Sequence, residues 1–475
     1  MAFCSLSMLT SCDEDPPLPD NLTQFQADAQ GLGAAETELN ITLSLSREAD
    51  ADGNIVIALA PTGVTYGTDF TTEPAAVANV LTIPVAAGAT SASFKIIKTN
   101  TTGLKGDEKV VFTIQSLGDG LVVGEKEAFT LTFSELIATS ATMEVAGGGI
   151  NANNRVFIDL SAYRQTSVAR TLWDLGFSSK ADEFRVYLNA ANKMLARQID
   201  KNDLNAVTAA DTTDFGSQVD LDAIFGEAAS VEDPNTIPDW AKGATAWMDL
   251  PTDLTKNAMG IVSDVATENK VYIINRGIDA TNGKLGWKKI RVIRNGNGYT
   301  LQHADIAATS FQTINVTKST GTNLNYVSFA GGAVNVEPAV ASWDIAWTGL
   351  TNTTNFGPGT PTIPYYFQDM IISNTANVEV FVYTNNGTTN LKTYDTFVVG
   401  DLSGVAYSKS QIAIGSGWRT TGGPPPSPAA GVNAARFYIV KDANGNIYKL
   451  QFTSLVSATG ERGKPSFKFA LLQKA

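Results

Sequence analysis

The chain has 475 residues, enough for two to four domains at about 150 residues each, which excludes a small protein that depends on disulfides or metals for stability. Its hydrophobic share of 43% and charged share of 17% indicate a folded protein rather than a disordered or coiled-coil one. A net charge of −13 and a single histidine argue against nucleic-acid binding and against most histidine-dependent catalysis.

The N-terminal segment holds both cysteines of the chain, Cys4 and Cys12. The run Leu9-Thr10-Ser11-Cys12 resembles a bacterial lipobox, whose cysteine becomes lipidated. The acidic residues 13–15 behind it resemble the surface-export signal of Bacteroidota lipoproteins, and the following prolines predict a stiff tether. We therefore predict a signal remnant and tether over residues 1–23 and a lipid anchor on Cys12 as the only membrane contact. The alternative is a chance tetrapeptide in an unstructured segment.

Residues 24–136 have the pattern of a β-sandwich. Short runs alternate apolar and polar residues, which is the period of half-buried strands. Turn signals such as Asp52-Gly53 and Gly118-Asp119-Gly120 separate them. The pattern predicts an Ig-like sandwich of about seven strands. The alternating runs are 41–45, 55–59, 94–97, 110–114 and 129–133.

Within this region the run from Tyr66 to Phe70 and the run from Gly106 to Phe112 resemble a Calx-beta domain. The resemblance implies that a carboxylate cluster at one end of the sandwich could bind calcium, and Asp69, Asp107 and Glu108 stand at family positions. A run at 99–102, Thr-Asn-Thr-Thr, replaces the paired aspartates of the family. Calcium binding is therefore the weaker alternative, and we expect a structural spacer.

Residues 137–475 contain an internal repeat. The run Trp173-Asp174-Leu-Gly-Phe recurs 170 residues later as Trp343-Asp344-Ile-Ala-Trp, and the hairpin over 270–292 recurs over 436–452. Two copies, about 150–305 and about 320–473, are therefore predicted, each built from antiparallel strands. The one helical candidate is 189–201, and the proline-rich 422–428 predicts an exposed loop.

The Trp-Asp segments and the C-terminal run 448–469 resemble the HmuY-like family of surface haem-binding lipoproteins, over about residues 142–473. The fold class that follows is all-β: an Ig-like sandwich and then a larger antiparallel HmuY-like region. The resemblance implies a monomer that takes haem or a related porphyrin from host haemoproteins and delivers it to an outer-membrane receptor. The predicted location is the cell surface, in the outer membrane, with the lipid on Cys12.

Haem iron needs one or two axial donors, usually from His, Met, Cys or Tyr. Because His303 is the only imidazole, paired histidines are excluded, and His303, Met370 and Met194 are the haem-ligand candidates. For His303 a surface or strand-end role is the stronger interpretation, and for the methionines a role as packing residues. Met370 is the first choice because its neighbours are aromatic.

Trp173, Asp174, Trp343 and Asp344 are interpreted as structural anchors, since a repeated Trp-Asp pair indicates scaffold rather than ligand contact. A glycosidase that uses the two aspartates is disfavoured for the same reason. No nucleophile elbow or metal motif occurs, so we expect no enzyme. The alternative function is a surface adhesin or a glycan- or protein-binding module, with exposed aromatics such as Trp418 and Tyr365-Tyr366 as contacts.

Overall fold

The structure is a computed structural model that describes residues 19–32, 37–99, 108–133, 139–229, 233, 236–355, 360–422 and 429–475. The chain forms two compact units, Met1–Glu135 and Leu136–Ala475. Both are built almost entirely from β-strands, so the predicted all-β class is confirmed.

The first unit is a sandwich of two five-stranded sheets, ordered β5-β7-β3-β1-β9 and β2-β10-β8-β4-β6. Apolar side chains alternate along each strand and meet between the sheets, where Phe94 lies 5.3 Å from Phe112 and Phe25 lies 5.8 Å from Phe129, centroid to centroid. The strands number ten rather than about seven, because short β2 and β9 add parallel edges. They are β1 (Asn21–Phe25), β2 (Ala29–Gly31), β3 (Glu38–Leu45), β4 (Gly53–Thr62), β5 (Phe70–Glu73), β6 (Val80–Val85), β7 (Ser91–Lys98), β8 (Lys109–Leu117), β9 (Leu121–Val123) and β10 (Ala128–Thr132).

The second unit contains twenty further strands and three short helices among its described residues. The strands up to Trp343 are β11 (Ser140–Glu144), β12 (Asn154–Asp159), β13 (Arg164–Ala169), β14 (Leu175–Ser178), β15 (Val186–Leu188), β16 (Leu195–Ile199), β17 (Val271–Asn275), β18 (Trp287–Asn295), β19 (Gly298–Ala304), β20 (Gln312–Val316), β21 (Leu324–Ser328) and β22 (Gly332–Val334). The rest are β23 (Ile345–Thr354), β24 (Ile363–Ser373), β25 (Glu379–Thr384), β26 (Arg419–Thr420), β27 (Gly431–Val432), β28 (Arg436–Lys441), β29 (Ile447–Val456) and β30 (Arg462–Gln473). The helices are α1 (Phe215–Gln218), α2 (Leu221–Ala229) and α3 (Asp239–Lys242).

These strands form two sandwiches with the same strand plan. In the first, the sheet β15-β14-β21-β22 faces the sheet β16-β17-β18-β19-β20, with Phe177 5.1 Å from Tyr299 in the shared core. In the second, β24-β23-β12-β13 faces β25-β28-β29-β30-β11. Trp418 joins these two sheets, because its indole N–H donates to the Asp369 carbonyl on β24 (2.9 Å) while its ring lies 4.5 Å from Phe452 on β29.

The two sequence repeats exchange their first three strands. In chain order, β11–β13 open the first repeat and β20–β22 open the second. However, β12 pairs with β23 of the second repeat, whereas β21 pairs with β14 of the first. Each sandwich therefore takes three strands from one repeat and the others from its partner repeat. Along the chain, the segment that forms the first sandwich, about residues 170–341, therefore lies between strands β13 and β23 of the second sandwich.

The same buried contacts recur where the exchanged strands meet. Asp174 accepts a hydrogen bond from the Phe329 amide at 2.8 Å, and Asp344 accepts one from the Leu160 amide at 2.8 Å. Asp174 also pairs with Arg276 at 2.8 Å. Each aspartate therefore joins one sequence repeat to the other, which places the four predicted anchor residues at the strand exchange.

Long connections cover the outer face of each five-stranded sheet. The connection between β16 and β17 carries the helices α1–α3. One lysine from each sheet holds its connection: the buried Lys289 donates from Nζ to the Val207 carbonyl (3.1 Å), and the half-buried Lys449 donates from Nζ to the Tyr394 carbonyl (2.7 Å). Burial lowers the pKa of both lysines. These helices were not predicted from the sequence.

The helix predicted over 189–201 is wrong. The segment forms a 3-10 turn, Ala190–Asn192, and then strand β16, which pairs with β17. The left-handed backbone of Lys193, with φ 63°, ends the turn. The apolar residues of this segment are divided between the two faces of the sheet, with Met194 in the sandwich core and Leu195 and Ile199 against the helical connection, rather than on one side of a helix. Most of the predicted 422–428 loop lies outside the described residues.

We expect the fragment 170–341 to fold alone, because it contains all nine strands of the first sandwich and both partners of Asp174. The matched fragment 139–305, a whole sequence repeat of similar length, lacks β20–β22 and should not fold cooperatively. Thermal unfolding followed by circular dichroism tests this. A sharp transition for 139–305 combined with none for 170–341 would contradict the strand exchange.

Candidate functional site

A cleft opens between the two sandwiches of the second unit. It contains about 870 Å³ of empty space, part of it open to solvent. Both sandwiches contribute to its walls, so only the tertiary structure creates it. Its lining includes Arg155, Phe157, Trp173, Lys180, Glu183, Tyr187, Asp249, Asn323, Tyr326, Glu337 and Trp343.

Two matched aromatic pairs form the apolar part of the cleft. Trp173 lies edge-on to Tyr326 with 4.9 Å between ring centroids, and Trp343 lies edge-on to Phe157 at 5.1 Å. Each pair joins a Trp-Asp segment of one repeat to an exchanged strand of the other. Both tryptophans are buried, and they also line the cleft, which was not predicted.

Arg155 places a cation against these rings. Its guanidinium carbon lies 5.3 Å from the ring centroid of Trp173 and 5.9 Å from that of Phe157, and its Nε is 3.4 Å from Thr348 Oγ1. A cation held against aromatic rings in this way can attract an anionic group of a ligand. The side chain of Lys180 adds a second, more exposed cation at the rim.

Carboxyl groups also face the cleft. Glu337 accepts hydrogen bonds from Tyr326 Oη (2.8 Å) and from the Asn323 amide, and burial raises its pKa. Asp249 accepts from the Leu188 amide (2.6 Å) and from the Ala258 amide (2.9 Å). Burial nevertheless raises the pKa of Asp249 to about 7. The charge of the cleft therefore changes around neutral pH.

His303 lies on β19, is 2% exposed, and does not line this cleft. Its ring is 5.2 Å from that of Phe329, and neither ring nitrogen has a hydrogen-bond partner in the described part of the chain. Burial lowers its pKa, and the nearby Lys288 acts in the same direction. The imidazole is thus buried inside the first sandwich, near the end of β19, rather than at the surface.

Both methionine candidates are packed. Met194, 1% exposed, belongs to the core of the first sandwich, and Met370, 1% exposed, packs in the apolar cluster that also contains Trp173, Tyr326 and Trp343. Met370 therefore lies in the apolar cluster that borders the cleft, without being among the residues that line it. The structure does not bring the three candidates together.

The other predicted residues have separate places. Trp418, expected to be exposed, is 1% exposed because it joins the two sheets. Asp69 accepts a hydrogen bond from the Thr65 amide (2.8 Å) and Glu108 is buried. Cys12 and Asp107 lie outside the described residues. Among the residues that the structure describes, no three His, Cys, Asp or Glu side chains are grouped to hold a metal ion, and no helix is long and apolar enough to cross a membrane.

Sequence reasoning missed Arg155, Asp249, Tyr326 and Glu337. A charged residue inside an apolar strand, as in the run Arg155-Val-Phe-Ile, was the available signal for the first of them. No comparable signal exists for the other three, because they come from loops and strands that meet only through the strand exchange.

Comparison with known proteins gives one family. The family model described as HmuY protein matches residues 151–469, and a search of curated proteins returned no match. Among solved structures, an apo-form Calx CBD1 domain is similar with 12% identity and TM-score 0.21, over 24% of this chain and 97% of that one. A protein of unknown function from Bacteroides ovatus is similar over 95% of each chain with 6% identity and TM-score 0.18. A two-domain protein of unknown function from Bacteroides fragilis is similar with 9% identity and TM-score 0.19, over 38% of this chain and 76% of that one.

We expect His303→Leu to leave the protein folded and as stable as the parent chain, or more stable, because it removes two buried nitrogens without partners. The folded state disfavours the protonated imidazole, so the parent should lose stability as pH falls below about 6.5. The His303→Leu variant should not show this loss of stability at low pH. Urea unfolding at pH 5.5 and 7.5 measures both effects. A loss of more than about 2 kcal/mol at pH 7.5 would show that His303 has a stabilising partner.

Proposed function

The chain belongs to the HmuY protein family, and we propose that it is a surface-anchored protein that binds haem or a related porphyrin in the cleft between its two sandwiches. The observation that carries the proposal is the cleft itself, which lies within the family-matched region and combines two tryptophans with a buried arginine. A porphyrin is a flat apolar ring with two carboxylates, so it needs these two kinds of contact.

The residues of the cleft fit the ring and the propionates of a porphyrin but not its iron. No His, Met or Cys is among the described residues that line the cleft. Tyr187 and Tyr326 supply the phenol oxygens there, and burial raises the pKa of both, which disfavours the phenolate form that binds iron. The protein therefore holds the ligand by its ring, on Trp173 and Trp343, and by its carboxylates, on Arg155 and Lys180.

The rest of the proposed role follows from the family. We propose that Cys12 is lipidated and that the protein lies on the outer membrane. As a monomer, and without catalysing a reaction, it would transfer the ligand from host haemoproteins to an outer-membrane receptor. The N-terminal sandwich, proposed as Calx-beta-like, would hold the binding region away from the membrane without calcium.

We expect haemin and metal-free protoporphyrin to bind the full chain with similar affinity and 1:1 stoichiometry, because the protein offers no donor to the iron in the cleft. Arg155→Gln should weaken both by at least about tenfold, since a charge-assisted hydrogen bond contributes about 1.5–3 kcal/mol. Quenching of tryptophan fluorescence and the Soret band measure the binding.

Arg197→Gln is the matched control. Arg197 lies over Phe215 (4.5 Å) and Trp247 (5.2 Å), as Arg155 does over its rings, but outside the cleft. Met370→Leu and Met194→Leu should leave the Soret band unchanged. The absence of binding of either porphyrin would overturn the proposed function. A Met370→Leu variant that loses only haemin would instead show that the thioether binds the iron.

Porphyrin affinity should fall as pH rises from 6 to 8. Over this range Asp249 ionises, since burial raises its pKa to about 7, and its negative charge opposes the propionates. Asp249→Asn should flatten the dependence while leaving affinity at pH 6 nearly unchanged. Titrations with protoporphyrin at pH 6, 7 and 8 test this, and an equally steep decline in the variant would assign the effect to another group.

A further inference from the structure

A second groove, separate from the cleft, crosses the outside of the second unit. It contains about 1170 Å³ of empty space, largely open to solvent, between helix α2, the start of β24, and the segments around β26 and β30. None of its residues lines the cleft. The lining is Lys193, Leu221, Asp222, Phe225, Tyr365, Tyr366, Phe367, Gln368, Asp369, Arg419, Thr421 and Arg462.

A row of three aromatic rings forms one wall of this groove. Phe225 lies 5.5 Å from Tyr365, and Tyr365 lies 4.9 Å from Phe367, centroid to centroid. All three side chains are half-buried, and the rings are tilted against one another, by 52° between Phe225 and Tyr365 and by 79° between Tyr365 and Phe367. Such a row is a partly exposed aromatic surface rather than part of a closed core.

A β-bulge keeps this row in position. The pairing of β23 with β24 shifts between Thr348 and Leu350, and Tyr366 packs over Gly349 at the shift, where a Cβ atom would overlap its hydroxyl. The Tyr366 hydroxyl donates to the Ala191 carbonyl at 3.0 Å. A bulge changes the direction in which neighbouring side chains point. Here Tyr366 is held at the bulge, and its neighbours Tyr365 and Phe367 form the aromatic row.

The two ends of the groove carry ion pairs. At one end Asp369 pairs with Arg419, whose Nε donates at 2.5 Å, and Arg462 lies 3.9 Å away. At the other end Lys193 Nζ donates to Asp222 at 2.7 Å. Gln368, an exposed amide, stands beside the first pair. The charges largely satisfy one another, so these ends offer planar hydrogen-bonding groups rather than a single strong charge.

We propose that this groove is a saccharide-binding site. A sugar ring has an apolar C–H face, which packs on aromatic faces, and an edge of hydroxyls that both donate and accept hydrogen bonds. The aromatic row matches the face, and Gln368 and Arg462, which are exposed, match the edge. A purely apolar ligand would desolvate the ion pairs at a cost, and a strongly charged ligand would have to break them. The inference does not depend on porphyrin binding.

An array of neutral and uronic-acid-containing oligosaccharides, probed with the full chain, tests the proposal. We expect binding to at least one oligosaccharide, confirmed by calorimetry with that compound. Gln368→Ala should weaken it at least fivefold and Tyr365→Leu at least tenfold, whereas Arg155→Gln should leave it unchanged. Thermal unfolding of the Gln368→Ala and Tyr365→Leu variants, followed by circular dichroism, serves as the check that both remain folded.

The absence of any bound oligosaccharide would overturn the proposal. So would binding that Gln368→Ala and Tyr365→Leu leave intact, or binding that Arg155→Gln removes, because the sugar would then occupy another surface or the cleft. Oligosaccharide binding without porphyrin binding would uphold this inference while refuting the proposed function, and the reverse result would do the opposite.

Discussion

Two buried aspartates hold the second unit together. Asp174 of the first repeat accepts a backbone hydrogen bond from Phe329 of the second, and Asp344 of the second accepts one from Leu160 of the first. Both carboxylates are at most 5% exposed. A buried polar group that loses its hydrogen-bond partner lowers the free energy of unfolding by about 1–3 kcal/mol, or more when the group is charged. Each aspartate therefore favours the exchanged pairing over a fold in which the strands of one repeat pair only with each other. Burial and the nearby Asp159 raise the pKa of Asp344.

The exchange produces the candidate site. Because β12 and β21 have changed places, Phe157 meets Trp343 and Tyr326 meets Trp173, and the space between these pairs is the cleft. Two separately folded repeats would not juxtapose the same rings. Strand exchange within one chain therefore decides which rings stand at the walls of the cleft.

The two grooves differ in chemistry although both lie within the same unit. In the cleft a buried arginine lies over aromatic rings. Burial raises the pKa of a carboxyl group beside it, so the cleft suits a flat anionic ligand at low pH. In the outer groove the charges are paired and the aromatic row is open. A surface protein with both sites could hold a porphyrin and attach to a glycan at the same time, since the two sets of lining residues do not overlap.

The all-β class and the repeated Trp-Asp segments are readable from the amino-acid sequence, because strand periodicity, turn residues and self-similarity are local properties of a chain. The sequence also indicated Met370 as the candidate with the most aromatic surroundings. Only the tertiary structure decided which strands pair, since exchanged and unexchanged repeats have the same local pattern. For the same reason it alone decided that His303 and both methionines are packed inside, that Trp418 is buried, and that Arg155, Asp249 and Glu337 face one cleft. Contacts between residues some 180 apart depend on which sheet each strand joins, and no local spacing encodes that.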